Sequence, residues 1–395
     1  TAQVKAGGSI TMSAQDAPSA HTEVTGTNVG ILVSGGDMYA QNTLDQRVLA
    51  SVGQGAQLIA GGGISVSTKS DATMYAKTNV NSGGIFSGGE LRAFNTISNR
   101  NVDIEVNNGA TLIADNGAIL IEAQSGLADD IYTCATGNSG GLATVDSAKA
   151  TSSVTATTDV TVGAGVLIQN TFGVIRIAAY HGAGSIKTVG DYGSGGLTSN
   201  PSTRAYLSSF SSSATVTIAK DAVAGYGQTK IIGRYVYIYS SLKNMYLYAY
   251  TRAVTSGLHG TAHAYSTITT DMDNSITIGN ANIASYDTME IIASANPTSS
   301  GDNIYAYAGT KITALIGRIV SEACAGGSID SSVSLLSGAD ITGAYVRIDA
   351  YKFSGTVSLT AYGKRRAIAS KSTKEEDSIS RGRTVSVSSA VKFHI

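Results

Sequence analysis

Apolar and polar residues alternate one by one along most of this chain, and glycine clusters interrupt the alternation at regular intervals. One unit is especially clear. A triplet, Val102-Asp-Ile-Glu-Val106, is followed by a step at Gly109-Ala110, an apolar pair at Leu112-Ile113, and a second triplet in Ala118-Ile-Leu-Ile121-Glu-Ala123. Alternation with a period of two, rich in β-branched residues, predicts strands. Longer alternating stretches such as Ala72–Val80 follow each second triplet. They end in glycine breaks: Gly83-Gly84 with Gly88-Gly89, Gly140-Gly141, and Gly193-Ser-Gly195-Gly196. Such clusters supply the backbone freedom that turns need. Apolar residues at helical spacing never persist for three turns, so no helix is expected.

The unit recurs. Its first triplet ends at Val52, Val106, Val162, Ile218, Ile278, Leu335 and Val387, at spacings of 54, 56, 56, 60, 57 and 52. Its second triplet is marked by Met12, Val66, Ile121, Ile177, Ile238, Ile291 and Ile348, at spacings of 54, 55, 56, 61, 53 and 57. Two independent anchors thus share one drifting period near 56 residues. Repeats of this kind bury their inward faces only by stacking on one another. The expected fold is all-β: a parallel β-solenoid, or β-helix, of about seven wide coils filling residues 1–395 as a single domain. Two ordinary coils per period is the alternative. An antiparallel meander would need tight Asn-Gly-type turns at each reversal, and these are scarce.

Charged residues make up 14 % of the 395 and the net charge is -1, against about 25 % charged in an average soluble protein. A chain without a basic face is a poor nucleic-acid ligand. No apolar run approaches the ~18 residues of a membrane-spanning helix, so membrane insertion is not expected. The sequence opens at Thr1 without an initiator Met, as a secreted protein does once its signal peptide is removed. The expected location is extracellular or at the cell surface. Cys134 and Cys324 are too few for a disulfide scaffold and match no metal spacing. They read as small strand residues or as a cross-link. Their different phases in the repeat argue against a bond within one chain.

Aligned to the copy around Val106, Thr1 matches Ala110 and Ile395 matches Ala114. Both ends therefore fall at one phase of the repeat. The segment Gly7–Ala14 reads as a bare strand edge, without the charge or proline that usually protects an edge, and Thr384–Ile395 reads as another clean strand. Ile10, Met12, Val385, Val387, Val391 and Phe393 are the expected assembly edges. One segment, 364–383, departs from this composition with Lys364, Arg365, Arg366, Lys374, Arg381 and Arg383. It reads as a charged loop within the last coil, serving either to prevent mispairing or as a lateral contact for an acidic neighbour or anionic polymer.

Chemistry is sparse. His259 and His263 lack the glutamate of a metalloprotease helix, and no P-loop or nucleophile elbow is present. Asp103, Glu105, Glu122, Asp129 and Asp130 are scattered rather than paired as in glycosidases. No catalytic residue, cofactor or metal ligand is assigned. The two Asn-x-Ser/Thr triplets, Asn200-Pro-Ser and Asn296-Pro-Thr, are blocked by proline.

The steps Gly109-Ala-Thr-Leu-Ile-Ala114 and Gly117-Ala-Ile-Leu-Ile-Glu-Ala123 resemble those of repetitive β-solenoid surface proteins, the haemagglutinin-type adhesins and autotransporter passengers. The resemblance covers the whole chain and implies secretion, adhesion or surface coating. The translocator usual in those families is not seen. A charge-poor β chain with matched ends also resembles the major sheath protein of filamentous methanogens, which implies an insoluble, amyloid-like extracellular tube. The expected function is a self-assembling structural protein that forms a filament, sheath or coat by head-to-tail edge stacking. Its partner would be itself, together with any cell-surface polymer it meets. An adhesin would instead offer Tyr235, Tyr237 and Tyr239 to a ligand. A carbohydrate-active enzyme would cluster its carboxylates.

Overall fold

The computed structural model describes residues 2–295, 302–366, 376–377, 387–388 and 391–394. Strand accounts for 81 % of the structure, and no described residue is helical. All but one of the strand pairings are parallel, and they join strands about one repeat apart in sequence.

Four segments recur in order: a short strand such as Thr111–Ala114, a second short strand such as Ile119–Ser125, an outbound tract such as Asp130–Gly140, and a return tract such as Ala143–Val162. Each lies against its counterparts before and after it. In the second short strand Met12 faces Val66, Val66 faces Ile121, Ile121 faces Ile177, Ile177 faces Ile238, Ile238 faces Ile291, and Ile291 faces Ile348. In the return tract Val52 faces Val106, and the ladder continues through Val162, Ile218, Ile278 and Leu335. Neighbouring segments fuse further along the chain. Leu167–His181 contains both short strands, and Ser185–Ile218 contains both tracts. Extra residues are absorbed as bulges at the bend between the short strands, at Asn170/Val174, Gly233/Val236 and Ser285/Thr288, after which the register resumes.

The interior has two parts. Inward residues of the two short strands and of the return tract's end form one apolar column, including Leu112, Ile119, Ile121, Val102, Ile104 and Val106. Between the outbound and return tracts lie a second apolar cluster, including Ile131, Ile186, Phe210 and Leu247, and a smaller, partly polar fill, with Ala135, Ala148, Ala150 and Thr133 buried there. The two tracts of one arch face each other through side chains. Thr133 and Ser152 hydroxyls meet at 2.7 Å, Ser152 reaches Thr188 at 2.8 Å, and Thr251 meets Ser266 at 3.0 Å. Asn42 donates to Asn95 at 2.9 Å, and Asn95 to Thr133 at 2.9 Å. These contacts satisfy polar groups that burial would otherwise penalise.

The chain reverses between the tracts at an apex. There Gly84, Gly141, Gly196 and Gly257 sit one above another, so closely that a Cβ on any of the last three would run into the carbonyl oxygen of the glycine below. Glycine is required at this spot for close approach of backbone to backbone.

Two sequence-based expectations need correction. Val387 does not continue the ladder of Leu335: it pairs with Gly327, and Phe393 pairs with Val333. The slip is eight residues. Because eight is even, the slip stays in phase with a period of two, and alternation alone does not exclude it. The alignment of Ile395 with Ala114 falls with it. The segment 364–383 is also not a loop throughout. Lys364, Arg365 and Arg366 lie in the strand Thr356–Arg366, opposite Lys311, Ile312 and Thr313. Glu376 and Asp377 pair antiparallel with Arg365 and Lys364. Lys374, Arg381, Arg383 and Val385 lie outside the described residues.

Candidate assembly edges

The first strands of the stack carry a partner on one side only. Among the described residues Gln3–Ala6 pairs with Gln57–Ala60, Ile10–Asp16 with Ile64–Ser70, Ser19–Val29 with Thr73–Gly83, and Met38–Val52 with Phe86–Val106. Their outer edges present unpaired backbone groups. Ile10 is 9 % exposed and Met12 only partly buried. At the other end, among the described residues, Asp340–Tyr351 pairs with Ala281–Ser294 alone, and Val391–His394 with Asp302–Leu335 alone.

Several ladders run from the first coil to the last, and along these the two ends can be compared rung by rung. Val4, Ile10, Met12 and Ala14 belong to the same ladders as Ile341, Val346, Ile348 and Ala350. Ala20 belongs with Val357. Leu44, Val48 and Ala50 belong with Val387, Val391 and Phe393. The charged residues of the last coil fall opposite neutral ones: Arg347 shares a ladder with Thr11, Asp349 with Ser13, and Lys364 with Thr27.

Parallel stacking sets equivalent side chains only about 4.8 Å apart, and charges of both kinds meet there: Asp103 stands opposite Asp159, Lys149 between Arg92 and Arg204, and Lys311 opposite Lys364. Opposite signs meet between neighbouring coils at Glu23–Lys77 (2.8 Å), Glu122–Arg176, Asp191–Arg252 (3.8 Å) and Glu290–Arg347 (3.8 Å). Lys77 holds the Glu23 carboxyl below its usual range by hydrogen bonding. One ion pair is interior. Arg100 Nη1 donates to Asp129 Oδ2 at 2.8 Å and its Nε to Gln46 Oε1 at 2.8 Å, with both charged side chains 1 % exposed or less.

Aromatic rings also stack along the axis: His21 on Tyr75 (4.5 Å), Tyr75 on Tyr132 (5.4 Å), Tyr248 on Tyr305 (5.1 Å) and Tyr250 on Tyr307 (4.9 Å). Tyr237 and Tyr239 stack side by side at 5.9 Å, and the Tyr239 hydroxyl donates to Glu290 at 2.6 Å. Arg234 covers Tyr235. All three of these tyrosines are half-buried.

Cys134 and Cys324 both carry thiols. Cys134 lies in the outbound tract beside Lys77 and Val189, and Cys324 in the return tract beside Thr267. Burial pushes the Cys134 thiol up. Three carboxylates missed as a group in the sequence, Asp37, Glu90 and Asp146, share a cleft of ≈ 560 Å³ with Arg204, His263 and Tyr265. Glu90 is engaged by Arg92, Asp37 by the Glu90 backbone N–H, and Asp146 through Oδ2 by the Ser139 hydroxyl, while its buried Oδ1 has no hydrogen-bond partner and burial raises its pKa. Their separation in sequence hid them; only the stacking brings them together. No group of three potential metal ligands exists among the described residues.

The fold thus defines an all-β chain of parallel, solenoid-like sheets. Scans against protein-family models, curated proteins and solved structures each find no match.

Proposed function

We propose that this chain is a self-assembling structural protein, working outside the cell as a filament, sheath or coat, in which each repeat of near 56 residues is one wide coil of a parallel solenoid of about seven. The observation that carries the reading is the match between the two ends. A second copy stacked in register would set Met12 on Ile348, Ile10 on Val346 and Val48 on Val391, apolar on apolar, with no like charges opposed among the rungs compared. It would also pair the edge backbone groups, whose exposure otherwise invites strand addition. A head-to-tail contact of this kind propagates or closes into a ring.

The aromatic ladders support structure over recognition, because rings stacked on each other have spent the faces a sugar would use. High-resolution electron microscopy of the purified chain is the test. Polymers with a β-ladder continuous across subunit joints are expected, and Met12→Lys at the edge should abolish them without unfolding the chain. Discrete particles from the unaltered chain would sink the proposal.

A further inference from the structure

The arch apices carry a second ordered feature. At the apex the ladder runs Leu32, Ile85, Leu142, Leu197, Leu258, Leu315, one residue per coil, and the middle four directly follow the stacked glycines. Apart from the half-buried Ile85, each of these is exposed: Leu32 by 64 %, Leu142 by 50 %, Leu197 by 49 %, Leu258 by 53 % and Leu315 by 44 %. Phe86 and Ile316 beside them are exposed as well. An apolar patch of this size is about the largest that a typical monomer carries, and such patches are often functional. At Leu142, Leu197 and Leu258 the glycine just before each explains the exposure. With no side chain of its own, it lets consecutive apices close up and pushes the next residue outward.

We propose that this stripe is a lateral zipper, packing against the same stripe of a neighbouring stack of this chain. The inference rests on the head-to-tail stacking above. Three observations choose the occupant. Rungs repeat at about 4.8 Å, and a surface with that same repeat can interdigitate with all of them, as identical sheets do in a steric zipper. The apex segments 28–36, 81–89, 138–145, 193–200, 254–260 and 312–317 contain no Asp, Glu, Lys or Arg, so two copies meet face to face without repulsion. The area is also telling. Six rungs make a stripe about 29 Å long and roughly 10 Å wide, or about 300 Å², well under the roughly 800 Å² per partner of a stable pair. One chain's stripe is too small to hold a stable dimer and pairs only weakly, in concentrated protein, whereas stacking makes it continuous, so that lateral contact grows with filament length.

The test compares the unaltered chain with a variant carrying Leu142→Ser, Leu197→Ser and Leu258→Ser, by electron microscopy and sedimentation. The unaltered chain is expected to form filaments joined side by side. The variant should form single filaments, its joined fraction falling by at least about tenfold, or ~1.4 kcal/mol. Equal lateral joining in both would overturn the zipper and leave the stacking intact. Single filaments that bind phosphatidylcholine vesicles only when the leucines are present would overturn it in favour of a lipid surface. If no filaments form at all, the functional reading fails separately. The zipper is then decided on the concentrated chain by oxidative cross-linking in a Cys324→Ser background. Leu197→Cys should give like-with-like dimers in excess of Tyr286→Cys, a more exposed position away from the apex (64 % against 49 %), and no excess would overturn it.

Discussion

The apolar column and the arch are built from the same alternating strands, yet they solve burial differently. In the column, Ile119, Ile121, Ile175 and Ile177 stack as like on like, each 0 % exposed, and hold together by area and packing alone. In the arch, two layers of mostly small residues lie close enough for hydroxyls and amides to bond across the gap. Polar groups concentrate where the second short strand passes into the outbound tract. There His181 Nε2 donates to Asn274 Oδ1 at 2.9 Å, its Nδ1 accepts from Ser212 at 2.8 Å, and Arg100 meets Asp129. The column tolerates wear, because neighbouring methyl groups relax into a small gap. The arch junction does not, because each polar group there depends on one particular partner.

That contrast can be broken at its strongest point first. Arg100→Ala strands Asp129 in the interior, and a loss of about 3–5 kcal/mol is expected from denaturant unfolding of the depolymerised chain. A loss below ~1 kcal/mol would mean that water reaches Asp129 and that the junction is not dry. The second test is acid. Burial pushes the His181 pKa down to about 4 from 6.5, so the unfolded chain takes up the proton first as pH falls. The stability held by neutral His181 is full above pH 6.5, is lost between there and pH 4 and is level below, a drop of roughly 2–3 kcal/mol between pH 7 and 4.5. His181→Asn should remove that part of the slope, leaving the carboxylates' share, and an unchanged slope would refute the assignment. The smallest effect belongs to the column: Ile177→Val should cost only about 0.5–1.5 kcal/mol. A larger loss there would erase the distinction between the two regions.

The column was the legible part of the molecule. A ladder of Val, Ile and Leu at period two is the signal that alternation carries best, and the anchors from Met12 to Ile348 do face one another. The arch was less legible. Ser152 and Thr188 look like surface residues in any local window, and only the fold back through the apex puts them opposite Thr133 and each other. Arg100 was invisible as a buried charge, since its partner Asp129 lies 29 residues away and no local rule links them. The glycine breaks were seen, but the apolar residue after each was passed over as part of a turn. The slip at Val387 shows the complementary weakness: alternation fixes which face a residue takes, and leaves the distance along the strand open in steps of two.

The parallel pairing has a mechanical consequence. Backbone hydrogen bonds run between coils, along the stacking axis, while the covalent chain runs around it. Tension along the axis is therefore borne by all the bonds between two coils at once, and tension across it by the peptide backbone itself. The weak direction is peeling, in which a single strand edge lifts and the bonds open one after another. The coils most exposed to peeling are the terminal ones, so resistance would depend less on the material between than on how each end is fastened.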